Sequence, residues 1–125
     1  MNSNGDFLLE GLQSFKATTA SQELLDFVYK HLDPVALPMV SKIDRIFICG
    51  GAVRAFYDQS EVKDVDFYFQ DMETADLFRN ILTASTKYKT VAYTDNATTL
   101  AHETLPSVQI IHPVSYTHLT LPTKA

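Results

Sequence analysis

Phe47-Ile-Cys-Gly-Gly-Ala-Val-Arg54 is followed ten residues later by Asp64-Val-Asp66, and this stretch decides the fold. An apolar run, Ile46 to Cys49, feeds a Gly-Gly pair and then a short helical pattern. The chain next enters a second apolar run that opens with two aspartates at i and i+2. In a strand, those two carboxylates point to the same side of the sheet. A Gly-Gly turn lets backbone N–H groups approach a ligand closely, and the N-terminus of the helix behind it favours phosphate. Two carboxylates on one face beside such a turn are what a hard divalent metal bridging a triphosphate requires. The expectation is a nucleotide site.

Working outward from the motif, Asp44 to Cys49 reads as a buried strand, Gly51 to Tyr57 as a helix and Val65 to Gln70 as a second strand. Glu73 to Ala84 has helical periodicity, with Leu77, Phe78, Ile81 and Leu82 inward. Tyr88 to Tyr93, Thr98 to His102 and Ser107 to Ile111 read as short strands, the first two joined at Asp95-Asn96. Upstream, Phe7 to Phe15 is a short amphipathic helix candidate. Thr19 and Gln22 have capping-box spacing ahead of Leu24, Leu25, Val28 and Leu32, and Pro34 and Pro38 end that helix. The fold class expected is α/β, in the sense of an α+β two-layer domain: a mixed sheet with helices packed on one face. The expected organisation is an N-terminal helical segment (1–43), a core (44–112) and a tail (113–125).

Gly50-Gly51-Ala52-Val53-Arg54 and Lys63-Asp64-Val65-Asp66 resemble the G-G-x-V-R-D … [KR]-D-x-D signature of the polymerase-beta-type nucleotidyltransferase superfamily. The likeness extends to the head domain of tRNA (CCA-adding) nucleotidyltransferases and bacterial poly(A) polymerases, and small phage-type nucleotidyltransferase-like proteins share the pattern. It covers residues 44–112, strongly at the motif and only in outline after Phe69. The resemblance implies a nucleotidyltransferase fold and the transfer of a nucleotidyl group from an NTP to a hydroxyl acceptor, by analogy an RNA 3′ end. Asp64 and Asp66 would be the catalytic residues and the ligands of one or two Mg²⁺ ions. Gly50, Gly51, Arg54 and Lys63 would bind the nucleotide.

Each residue also has a plainer reading. The aspartates suit a solvated strand start, the glycines an ordinary strand-to-helix turn, and Lys63 a surface charge. Arg54 suits a structural ion pair with Asp64 or Asp58. Two positions depart from the signature. Ala55 stands where it has Asp, and Gln109 stands where a third carboxylate is expected on a neighbouring strand. An amide cannot act as general base or neutralise a metal. The chain as it stands is therefore expected to bind Mg²⁺-NTP weakly at best and to turn over little or nothing. Two alternatives follow: a catalytically impaired module that binds a nucleotide or partner, or a toxin- or antitoxin-type nucleotidyltransferase that modifies protein. His31, His102 and His112 show no ligand spacing with one another or with Cys49. Phe67 and Phe69 read as core. Tyr68 shares the carboxylate face, either as filler or beside a nucleotide base.

The 125 residues carry 46% hydrophobic and 20% charged residues, globular values that exclude a disordered tail. No apolar run approaches the ~20 residues of a membrane helix, and residues 1–6 lack the pattern of a signal peptide. With Cys49 as the single cysteine, the expected setting is reducing and cytoplasmic. The net charge is −5, a poor balance for gripping nucleic acid. An RNA acceptor would need a basic surface from a further C-terminal region. Val114-Ser-Tyr-Thr-His-Leu-Thr-Leu-Pro-Thr123 resembles a translated sequencing adapter, which implies a natural sequence that stops near His112 or Pro113 in a gene continuing beyond it.

Overall fold

The computed structural model describes residues 19–114. The helix expected at Phe7 to Phe15 and the tail beyond Val114 lie outside them. The order is α1 (Gln22–Tyr29), α2 (Leu37–Val40), β1 (Phe47–Cys49), α3 (Gly51–Asp58), β2 (Asp64–Tyr68), α4 (Met72–Ser85), β3 (Lys89–Thr94), β4 (Ala97–Ala101) and β5 (Ser107–Ile111). This is an α+β fold. Its open sheet of five strands runs β1-β2-β5-β4-β3, with the β2–β5 pair parallel and the other three pairs antiparallel.

Strict alternation along the central strands divides the sheet into two faces. Val65, Phe67, Val108, Ile110, Thr98 and Leu100 are buried, while Asp66, Tyr68, Gln109, Ile111, Thr99 and Ala101 between them are only half-buried. The helices supply the other half of the core. Leu24 and Val28 of α1, Val40 of α2, Ala52 of α3, and Ala75, Phe78 and Leu82 of α4 form one cluster with the buried strand residues. Phe78 joins the layers, with its ring centroid 4.9 Å from that of Phe67 and 5.1 Å from that of Phe69. Leu32 and Ala36, which follow α1, belong to the same cluster.

Several boundaries differ from expectation for identifiable reasons. The first strand starts at Phe47 rather than Asp44, because Arg45 has φ 66°, which interrupts extension. The cap of α1 is Ser21, whose Oγ accepts from the Leu24 N–H, rather than Thr19. The prolines do not simply end structure: Pro38 sits in the first turn of α2, where its missing N–H costs nothing. Leu77 is 50% exposed rather than inward, since the buried stripe of α4 runs through Ala75, Phe78 and Leu82. Asp71 caps α4 by accepting from the Thr74 N–H at 2.7 Å.

Candidate nucleotide site

The site is built where β1 turns into α3. Gly50 has φ 75° and ψ −146°, a region essentially reserved for glycine. A Cβ there would collide with the Asp66 carboxylate, which packs directly on the Gly50 backbone. Asp66 also accepts a hydrogen bond from the Gly51 N–H, so the first turn of α3 holds the carboxylate in place. The glycine pair therefore serves close approach, and the group that approaches in this state is Asp66.

Register sets the rest. Cys49 on β1 and Gln109 on β5 both pair with Asp66, and Thr99 on β4 pairs with Gln109. Paired residues point to one face, so Cys49, Asp66, Gln109 and Thr99 form a row across the half-exposed side of the sheet. Asp64 lies on the same face, paired with Ser107. Tyr68 lies there too, paired with Phe47. The expected sharing of a face by Asp64 and Asp66 is thus the arrangement found, beside the Gly50-Gly51 turn.

Burial pushes the carboxyl of Asp66 above the ordinary carboxylate range. The Gly51 N–H opposes this, Asp64 adds to it by repulsion, and Arg54 opposes it by attraction. Arg54 is exposed and acts on both Asp66 and Asp58, and among the described residues it has no ion pair within 4 Å. Lys63 is exposed at the entry to β2 and has no such ion pair either among the described residues. Cys49 is pushed up to about 11 by burial and by Asp66, so it is a neutral thiol, with Sγ 3.8 Å from the Asp66 main-chain oxygen.

Among the described residues no group of three or more His, Cys, Asp and Glu is placed to hold a metal ion. The position in the row where a third acid would stand belongs to Gln109, whose Oε1 accepts from the Thr99 hydroxyl at 2.9 Å. Two carboxylates on an open face do not make a protein cage. They do fit Mg²⁺, which takes one or two carboxylates and fills its remaining positions with water and phosphate oxygens. The three histidines among the described residues are engaged elsewhere: His31 with the Phe27 carbonyl, His102 with Asp33 at 3.0 Å, and His112 with Thr98 and Pro113. A cavity of about 1170 Å³ opens instead between Tyr29, Leu37, Ser41 and Arg45, away from the carboxylates. Sequence reasoning did not find the roles of Cys49 and Thr99. Both depend on strand register, for which the only advance signal was the alternation of each strand.

A family model described as Gabija anti-defense 2 family protein, Gad2, matches residues 16–119. The chain belongs to the Gad2 family. This finding overturns the resemblance to polymerase-beta-type nucleotidyltransferases and to the CCA-adding head domain. That likeness rested on Gly50-Gly51-Ala52-Val53-Arg54 and Lys63-Asp64-Val65-Asp66 in a strand–turn–helix–strand order, an arrangement a short motif reaches without common descent. Ala55 and Gln109 already marked where this Gad2 protein departs from that signature. No curated protein and no solved structure matches the chain. Among its described residues, no helix is long and apolar enough to cross a membrane.

Proposed function

We propose that this Gad2 protein opposes Gabija defence by nucleotide chemistry: it transfers a nucleotidyl group from an NTP to a hydroxyl acceptor, with pyrophosphate leaving. The reading is carried by one observation. Asp64 and Asp66 share an accessible sheet face, and Asp66 is seated on the Gly50-Gly51 turn at the start of α3. The anti-defence half of the reading comes from the family description alone.

Asp64 and Asp66 would hold Mg²⁺, which when bound supplies charge neutralisation and Lewis-acid polarisation at the phosphates. The chain's own groups do the rest. The positive N-terminal end of α3, whose Gly51 N–H is held by Asp66, and the Arg54 guanidinium would attract and orient the triphosphate. Asp64 and Asp66 fix its position relative to the sheet. Gln109 accepts no proton, so the acceptor hydroxyl loses its proton to water or to an aspartate, and turnover is slow. A positioned base is typically worth about 10²–10⁴-fold.

Gln109 favours a second reading, in which the same site binds a Mg²⁺-nucleotide or a partner without turnover. The experiment is to incubate the protein with α-labelled NTPs, Mg²⁺ and purified Gabija components. In parallel, Asp64→Ala and Asp66→Ala variants are scored for inhibition of the defence in cells. Label transfer and inhibition that both vanish in the variants support nucleotidyl transfer. Inhibition that needs the aspartates without any label transfer selects the second reading. Inhibition that survives both substitutions removes the site from the function.

A further inference from the structure

Gly50 leaves an opening that the chain fills itself. Its φ of 75° sets the backbone for close approach, and the group lying where its Cβ would stand is the Asp66 carboxylate. A Cβ at Gly51 would meet no atom of the described residues within 4 Å, so the turn is crowded at Gly50 alone. The Gly51 N–H, the first donor of α3, is held by the same carboxylate. The turn suits an anion because it is the positive end of a helix, and a side-chain anion already sits in it. The seat is an uneasy one, since Asp66 is half-buried there and repelled by Asp64 on the same face. A phosphate directed at the Gly51 N–H meets an engaged donor and a like charge.

We propose that the Asp66 carboxylate competes within the chain for its own anion cradle, so that the Gly50-Gly51 turn admits a triphosphate only when a divalent cation shared with Asp64 draws the carboxylate off it. The inference rests on the proposed nucleotide site and adds its regulation. The two destinations of Asp66 lie in different directions. The turn follows Cys49, which pairs with Asp66 across β1 and β2, so the seat is reached sideways from β2. Asp64 is two residues back along the same strand, a step of ~7 Å. Mg²⁺ holds its oxygens at ~2.1 Å, so an ion bound by both carboxylates turns them toward each other along the strand. It also replaces the repulsion between the two aspartates by attraction to a common charge. A bare triphosphate brings no such charge and is turned away. The site therefore selects the metal complex of a nucleotide over the free nucleotide.

The test measures binding of ATP and of inorganic tripolyphosphate by calorimetry, first in EDTA and then in excess Mg²⁺. Asp66→Asn and Asp66→Ala remove the same charge, but only Asn keeps an oxygen for the Gly51 N–H. In EDTA the wild type is expected to bind neither anion, whereas Asp66→Ala binds both at least about tenfold more tightly than Asp66→Asn. In Mg²⁺ the wild type binds ATP. A second measurement needs no variant: Mg²⁺ alone is expected to move the Gly51 amide proton upfield in nuclear magnetic resonance, as the carboxylate leaves it. Equal affinities of the two variants in EDTA overturn the competition and leave the nucleotide site standing. So does wild-type binding of ATP that is as tight in EDTA as in Mg²⁺, or a Gly51 proton that stays in place while Mg²⁺ shifts the signals of Asp64. Wild-type protein that binds ATP in neither condition overturns the nucleotide site and the competition with it.

Discussion

Asp66 is the residue on which stability and the proposed function oppose each other. Half-buried, repelled by Asp64 and only partly relieved by Gly51 and Arg54, it takes up a proton more readily than an ordinary aspartate. The folded state is thus favoured by protonation. That contribution is fully present below the ordinary aspartate pKa and is lost as pH rises through the raised value. Asp66→Asn keeps an oxygen for the Gly51 N–H and removes the charge. It is expected to raise the melting temperature at neutral pH while abolishing Mg²⁺-nucleotide binding. Thermal melts beside a nucleotide titration check the pair, and a variant that melts lower would contradict the account. In the wild type, Mg²⁺-nucleotide affinity should start to fall on acidification at a higher pH than an exposed carboxylate would give. Gly50 is the other sensitive position. Gly50→Ala forces a Cβ onto the Asp66 carboxylate at a backbone conformation costing about 1–3 kcal/mol for other residues. Chemical denaturation should show that loss together with loss of nucleotide binding.

At the scale of elements, the pairing of β2 with β5 places Gln109 opposite Asp66, with the Thr99 hydroxyl already donating to the amide oxygen. A carboxylate at 109 could accept the same hydrogen bond. Gln109→Glu is expected to tighten Mg²⁺ binding and to raise turnover by about tenfold or more. A labelled-NTP assay decides it, and unchanged turnover would show that a base is not what limits the reaction. A second junction ties the end of the α1 segment to β4. Asp33 takes the Val35 N–H and pairs with His102, and the two hold its carboxyl below the ordinary range. Its contribution is present above the unfolded pKa and is lost as pH falls through the lowered one. Asp33→Asn should therefore flatten the loss of stability in urea as pH falls below about 4, the unfolded aspartate value. This scale also shows what a linear reading reaches. The Gly50-Gly51 turn and the shared face of Asp64 and Asp66 were legible, because glycine chemistry and two-residue alternation are local. The Arg45 kink and the exposure of Leu77 were not, because they depend on which neighbours arrive from elsewhere. Family membership was misread because two short motif segments constrain geometry more tightly than they constrain ancestry.

At the scale of the molecule, a sheet that among the described residues carries helices on one face makes β2 serve two masters. Val65 and Phe67 face the helices, and Asp64, Asp66 and Tyr68 face outward. Phe67 stacks with Tyr29 and packs on Phe78, so Phe67→Ala removes the ring that joins α1, α4 and the sheet. A loss of about 3–5 kcal/mol is expected. Nucleotide affinity measured under conditions where the variant is still folded should fall too, since Asp64 and Asp66, just ahead of position 67 on β2, lose their fixed strand. Retention of full affinity would mean that the outer face is held independently of the core.

The strand order has a consequence in time as well as in space. β2 reaches its neighbour β5 only after α4 and the β3–β4 hairpin have intervened. Local contacts in such a chain close early and distant ones late, because loop closure must be met before a long-range pair repays it. The α3 turn and its grip on Asp66 can form while a ribosome is still extending the polypeptide. The Asp66–Gln109 row cannot exist until β5 has been made and docked. A nascent chain therefore carries half of the proposed site until β5 arrives.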